Sequence, residues 1–314
     1  MEKKKFIILL MSCNKPLYLK EEQACRETFL KDAEGADIPF WFYRGGEERQ
    51  YIDTDHVMHF NCPDGLGGTS KKTVLAMTVS LQLGDWDYLI KTNVSTWLNI
   101  GKITEAIEKW DGKEDHKIYG TRYLVNTSSK NVPFPRGHFS IFSRDMVEGI
   151  VKWSPKLIGE ENFPKTDDTL IGLSCLYQIM RVYDEKYQDC LMEVPAVNDW
   201  TESLEDAPDV LDALCIRCKD GGDNEKTPDN MRRAHELLHT PVNDWKRKGY
   251  RPVNMFETGF GLMNYDVYSA MDKVYKAFRK DTASKDYKCD GGSVKRKDAE
   301  SRKEGIKKRL EGGS

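Results

Sequence analysis

The chain has 314 residues, of which 39% are hydrophobic and 32% charged. That is enough apolar material for one large α/β domain or two ordinary ones, and it excludes a wholly disordered protein. The formal charge of −3 hides an asymmetry: residues 279–314 carry 12 Lys/Arg against 7 Asp/Glu, a net +5, which leaves −8 for residues 1–278.

The apolar run 5–12 has strand length and ends in the polar turn Ser12-Cys13-Asn14-Lys15-Pro16, as buried parallel strands do. The loop after such a strand is where open α/β sheets bind ligands. Helical spacing follows over 21–31, a strand over 38–43 stopped by Gly45-Gly46, and a short strand over 56–60. Residues 69–83 predict a helix with Ser70 as its cap, and 88–91 a further strand. A helix over 103–109, strands over 117–120 and 139–143, and helices over 144–153 and 168–182 complete the alternation. Such an order predicts a mostly parallel mixed sheet flanked by helices, with a helical or irregular C-terminal extension. Thr227-Pro228 reads as a helix start, and 281–314 as a charged helix or flexible tail.

The apolar run near the start is too short for a secretory signal or a membrane helix, which needs about 20 apolar residues. The 8 cysteines are scattered, as reduced thiols are in a cytosol. The expectation is a cytoplasmic protein of a bacterium or a virus-infected cell, without a membrane span.

Three pieces carry chemistry. Asp64-Gly65-Leu66-Gly67-Gly68-Thr69-Ser70-Lys71-Lys72 runs from a strand end into a helix start, where glycines, helix amides and lysines can meet an anion; the plain alternative is a solvated loop before a capped helix. Lys91-Thr92-Asn93-Val94-Ser95-Thr96-Trp97 follows a hydrophobic strand and points toward a ligand crevice, or is an ordinary turn into the next helix. Asp167 and Asp168 begin a helix, where carboxylates serve as caps or, when one projects into a cleft, as a general base.

Taken in order, these pieces resemble the β-1,3-galactosyltransferase and Fringe-like glycosyltransferases of GT-A (Rossmann-like) fold. That family's D-x-x-x-N-L-T-x-K-T is similar to residues 64–73, its Y-D-Y-x-L-K-T-D-D-D-x-x-x-N to 86–99, its Y-x-x-S-R-D to Phe139-Ser140-Ile141-Phe142-Ser143-Arg144-Asp145 after the turn Arg136-Gly137-His138, and its E-D-V-x-x-G-x-C to 167–174. Arg26-Glu27-Thr28-Phe29 echoes an early R-x-T-W. The likeness spans about residues 6–180 and implies a nucleotide-sugar-binding and catalytic core over 1–180, an extension over 181–280 completing the acceptor side, and the tail over 281–314.

What the resemblance implies is an inverting transfer of a sugar from a nucleotide-sugar donor, UDP-sugar favoured, to an acceptor hydroxyl. Asp168 would be the general base and Asp167 its neighbouring cap or sugar ligand. Ser12, Asn14, Arg44, Asp64, Lys72, Lys91, Asn93 and Ser95 would hold the donor, and Trp97, Arg136 and His138 the acceptor or sugar. The family's metal-binding aspartate triplet is Asn93-Val94-Ser95 here. Hard cations need charged oxygen ligands, so the expectation is a metal-independent enzyme without a required cofactor, a weakly held Mn²⁺ or Mg²⁺ being the alternative. The acceptor would be a glycan, such as a surface-polysaccharide precursor, or a hydroxymethylated base in phage DNA. For DNA, Arg217, Lys219, Arg232, Arg233, Lys246, Arg247, Lys248 and the tail offer basic contacts, against the acidic body. A different class is a GT-A-like shell that binds a ligand or nucleic acid without catalysis.

One further spacing has metal chemistry. Cys215-x2-Cys218 precedes His235-x3-His239 with 16 residues between the pairs, close to a Cys2His2 zinc site. The intervening segment lacks the apolar positions of a small finger, so buried thiols and surface histidines are the default expectation.

Overall fold

In the computed structural model the first strand, β1 (Phe6–Met11), is central, and its residues divide between two cores. Phe6, Ile8 and Leu10 face one hydrophobic cluster while Ile7 and Leu9 face the other. That alternation is the two-residue period of a strand covered on both faces. The structure describes residues 3–113, 115–126, 131–158, 167–184, 190–197, 212–219 and 224–239. The chain divides into two compact units, 1–272 and 273–314, and every described residue belongs to the first. The expectations for Lys246, Arg247, Lys248 and the tail lie outside the described residues.

After β1 come α1 (Pro16–Glu27), α2 (Phe29–Gly35), β2 (Phe40–Arg44), β3 (Tyr51–Ile52), β4 (Val57–His59), α3 (Thr69–Ser80), β5 (Tyr88–Asn93), β6 (Thr96–Leu98) and α4 (Ile100–Ile107). Then follow β7 (Ile118–Asn126), β8 (Asn131–Ser143), α5 (Arg144–Ile158), α6 (Asp167–Gln178), β9 (Leu191–Glu193), β10 (Ala196–Val197), β11 (Cys215–Arg217) and α7 (Thr227–His239). Eight strands form one sheet in the order β3-β4-β2-β1-β5-β8-β7-β9. β4, β2, β1 and β5 run parallel, β8 is antiparallel to both β5 and β7, and β9 returns parallel to β7. The expected mixed, mostly parallel sheet with helices on both faces is therefore what the chain builds. A second sheet, β10-β11-β6, is formed by β6 with strands from beyond residue 190.

The helices sort by face. Ala24 and Cys25 of α1, Phe29, Leu30 and Ala33 of α2, Ile103 of α4, and Met231 and Ala234 of α7 join one core. Ala76 and Met77 of α3, Val147 and Ile150 of α5, and Ile171 and Cys175 of α6 join the other.

Several boundaries differ from the sequence expectation for local reasons. The first helix begins at Pro16 rather than at 21, because proline suits the first turn of a helix. It breaks at Thr28, whose hydroxyl donates back to the Ala24 carbonyl at 2.6 Å, and α2 restarts beyond. Ser70 is not the cap of α3; a 3-10 turn, Leu66–Gly68, leads into it, and Gly68 occupies the cap position. Asn99 caps α4 by accepting from the Lys102 amide, starting that helix three residues before its apolar face becomes regular.

Among the described residues no helix is long and apolar enough to cross a membrane. The described cysteines, at 13, 25, 62, 175, 190, 215 and 218, are all free thiols and all buried.

Candidate functional site

The parallel strands β1, β2 and β5 end together at Met11, Arg44 and Asn93, and the segments that follow β1 and β2 are tied to one another by Asp64. The Asp64 carboxylate accepts from the amide of Asn14 at 2.6 Å and from that of Gly45 at 2.8 Å. Lys72, 2% exposed, reaches back from α3 with its ammonium on the Ser12 carbonyl at 2.5 Å and on the Asp64 carbonyl and carboxylate, each at 3.1 Å. Its three protons thus have three acceptors within the protein. Gly68 allows this closeness: a β-carbon there would lie 1.6 Å from the Pro63 carbonyl oxygen. The glycine-rich piece is therefore used for packing loop on loop, and Asp64 and Lys72 knot the strand ends rather than offering their charge to a ligand.

Arg44 is held similarly. Its guanidinium forks onto the buried Glu22 carboxylate, with Nε at 2.8 Å, and the Ser12 hydroxyl donates to the same carboxylate. Arg44 also donates to Asn14 Oδ1 at 3.5 Å, and Asn14 donates to the Gly45 carbonyl at 3.1 Å. Ser12, 1% exposed, is turned into this network and away from solvent, which corrects its assignment as a donor ligand.

The other half of the site lies where β5 meets β8 and α6. Lys91, only 1% exposed, pairs with the Asp167 carboxylate and donates to the Gly137 carbonyl; Asn93 Oδ1 is 3.5 Å from the same ammonium. Asp167 is buried, whereas Asp168 beside it is half-buried. The Asp168 carboxylate accepts from the Thr169 amide at 2.9 Å. It packs against the backbone of Gly137, where a β-carbon would lie 3.2 Å from Asp168 Cβ and 3.6 Å from its Oδ2. The small-residue turn 136–138 and the acidic helix start are thus in direct contact, although 30 residues separate them in the chain.

His138 is buried, and its carbonyl accepts from Thr92 at 2.8 Å and Thr96 at 3.4 Å. Desolvation holds its imidazole well below the usual histidine range, and the positive charges of Arg217, Arg136 and Lys91 push it further in the same direction. Its Nε2 is buried without a hydrogen-bond partner. Charges on β5, β8 and β11 thus all bear on one imidazole beyond the carboxyl end of β5. Sequence reasoning placed Arg217 on a nucleic-acid surface. The signal it missed is the pairing of β11 with β6, which sets Arg217 opposite Thr96.

Trp97 does not face a ligand. It is 1% exposed in β6, opposite Ile216, and belongs to the hydrophobic core. This corrects the expectation of a stacking surface. Ser95 is also buried, its carbonyl accepting from the Cys218 amide at 2.9 Å.

The donor set at the degenerate triplet does not suit a divalent cation. Val94 is fully buried in the core, Ser95 is 3% exposed, and the Asn93 amide oxygen sits beside the Lys91 ammonium. The neighbouring carboxylate, Asp167, is already neutralised by Lys91. A hard cation would meet no unengaged carboxylate from 93–95 and would face a lysine.

The cysteine and histidine pairs do not converge either. Cys215 and Cys218 are fully buried, and burial pushes both thiols up. His235 and His239 instead gather around Asp32.

No family model matches the chain, and no curated protein matches it in sequence. Among solved structures, a glycosyltransferase involved in the glycosylation of the major capsid of PBCV-1 aligns with a TM-score of 0.45 and 12% identity, over 73% of this chain and 99% of that one. The galactosyltransferase LgtC, in complex with donor and acceptor sugar analogues, aligns with a TM-score of 0.42 and 10% identity, over 76% of this chain and 99% of that one.

Proposed function

We propose that the chain is a glycosyltransferase that moves a sugar from a nucleotide-sugar donor to an acceptor hydroxyl, with Asp168 as the general base and without a bound metal. The observation that carries this reading is the contact of Asp168 with Gly137, one residue from the His138 imidazole on which the charges of Arg217, Arg136 and Lys91 bear. A carboxylate and a cationic cluster then share the carboxyl ends of the central strands, where open α/β sheets bind ligands. The motifs at 64–73, 86–99, 136–145 and 167–174 resemble the corresponding motifs of one glycosyltransferase family, and these are the segments that meet here.

The division of labour follows from the contacts. Arg136 and Arg217 oppose the charge that builds on a departing diphosphate, as preorganised cations do elsewhere. Lys91, engaged internally, positions Asp167, and through it the helix start that carries Asp168. Asp168 takes the acceptor proton as the hydroxyl oxygen attacks the anomeric carbon from the face opposite the nucleotide. The C–O bond to the diphosphate breaks as the new glycosidic bond forms, which inverts the anomeric centre. An ordinary aspartate is a weak base near neutral pH, so its contribution comes from placement within reach of the hydroxyl.

UDP-sugars are the favoured donors. A glycan hydroxyl is the favoured acceptor, since residues 1–278 carry a net −8, which opposes the phosphate contacts that DNA binding requires. A screen of UDP- and GDP-sugars for protection against thermal unfolding tests the reading, because a bound donor raises the midpoint by mass action. Protection by one donor supports it, and no protection at millimolar concentrations refutes it.

A further inference from the structure

We propose that Asp32, His235 and His239 form a transition-metal site, suited to Zn²⁺, that clasps α7 onto α2. His235 and His239 stand one turn apart on α7 and share a face. Asp32 reaches the same point from α2, far away in sequence. Its Oδ2 lies 3.4 Å from His239 Nε2 and 3.8 Å from His235 Nδ1, and the three donor atoms all fall within 4.8 Å of one another. Ligands about 2.0–2.1 Å from a tetrahedral Zn²⁺ stand about 3.3 Å apart. Small side-chain rotations would therefore bring all three donors to bonding distance.

Two details separate this arrangement from a plain pair of ionic contacts. His239 Nδ1 is 2.9 Å from the His235 carbonyl oxygen and donates to it, so that Nε2, which faces Asp32, is the nitrogen through which the neutral ring would bind a cation. Metal-binding histidines are oriented in this way by a backbone acceptor on the other ring nitrogen. In addition, His235 Nδ1 is buried and has no hydrogen-bond partner. A ring nitrogen sealed from water and left unsatisfied is costly, and a cation between the two rings, whose centroids are 4.1 Å apart, would satisfy it. Two histidines and one carboxylate suit Zn²⁺ better than Mg²⁺ or Ca²⁺, which favour oxygen-rich sets, and leave a fourth position for water.

The ion would join two helices of one core face. α1, α2 and α7 already pack around Ala24, Phe29, Met231 and Ala234. The role is structural, and it is independent of the sugar-transfer reading.

The test uses the full chain, stripped with EDTA, dialysed, and titrated with ZnCl₂ while its thermal midpoint is followed. CoCl₂ serves as a second probe, read by visible absorption. The wild-type midpoint is expected to rise by about 5 °C at a hundredfold excess of Zn²⁺ over Kd, with one ion bound per chain. His239→Ala and Asp32→Asn, both partly solvent-facing, are expected to fold and to lose most of that rise, and His239→Cys to retain it. The absorption of bound Co²⁺ should disappear in the same two variants. No rise in the wild type, or an equal rise in His239→Ala and Asp32→Asn, would overturn the proposal. Should a variant fail to fold, the cobalt spectrum of the wild type decides: absence of tetrahedral absorption counts against the site.

Discussion

Lys91 on β5 and Asp167 at the start of α6 form a buried ion pair, and that pair fixes the helix end from which Asp168 projects. Truncating one partner leaves a charge buried without compensation, which costs about 3–5 kcal/mol. Lys91→Met is expected to destabilise the fold by that amount in urea denaturation. The double variant Lys91→Met, Asp167→Leu should recover much of it, because it removes both charges. Equal losses in the single and double variants would show that the side chains matter for packing alone.

Gly137 of β8 lies against the Asp168 side chain. A β-carbon 3.2 Å from Asp168 Cβ is tight, and the freer side chain must yield. Gly137→Ala is therefore expected to lower the rate of sugar transfer at least tenfold while shifting the thermal midpoint little. A lower midpoint with full transfer activity in the remaining folded protein would argue against Asp168 as the acting group.

Glu21 gives the fold a pH dependence. It is buried on α1, its Oε2 has no hydrogen-bond partner, and burial pushes its carboxyl up to about 7 against the opposing pull of Lys219. The folded chain keeps a proton that the unfolded chain releases near 4.5. Its stabilising contribution is thus complete below pH 4.5 and is lost as the pH rises through about 7. Glu21→Gln should flatten the stability profile across that window and raise the midpoint above pH 7, as measured by thermal unfolding from pH 4 to 9.

The sheet was legible because its strands are local apolar runs. Residues 5–12, 38–43 and 88–91 lie close to β1, β2 and β5, and the alternation of their side chains sets both core faces. β6 was not legible: Thr96–Leu98 follows β5 like an ordinary turn and becomes a strand only by pairing with Cys215–Arg217. The same long-range pairing buries Trp97 and sets Arg217 opposite Thr96, which no local pattern signals. Motif order placed Asp167 and Asp168 at a helix start, and α6 does begin there, but it could not tell Lys72 and Lys91, which end on internal partners, from lysines open to a ligand. Only the third dimension shows which carbonyls an ammonium reaches.

Arg217 supplies a separate prediction. With its charge removed, the cluster beside His138 keeps Arg136 and Lys91 but loses one cation. Arg217→Ala is expected to weaken UDP binding about tenfold in calorimetric titration, equivalent to about 1.4 kcal/mol, and Arg217→Lys to recover part of it. Unchanged affinity would place the diphosphate elsewhere.

The most direct measurement is transfer of labelled sugar from the donor found by thermal protection, with wild type and Asp168→Asn compared in the presence of EDTA at 25 °C. The wild type should transfer sugar under these conditions, and Asp168→Asn should lose about 10²–10⁴-fold in rate while retaining its thermal midpoint. Transfer by Asp168→Asn at the wild-type rate, or wild-type activity that disappears with EDTA and returns with Mn²⁺, would contradict the account.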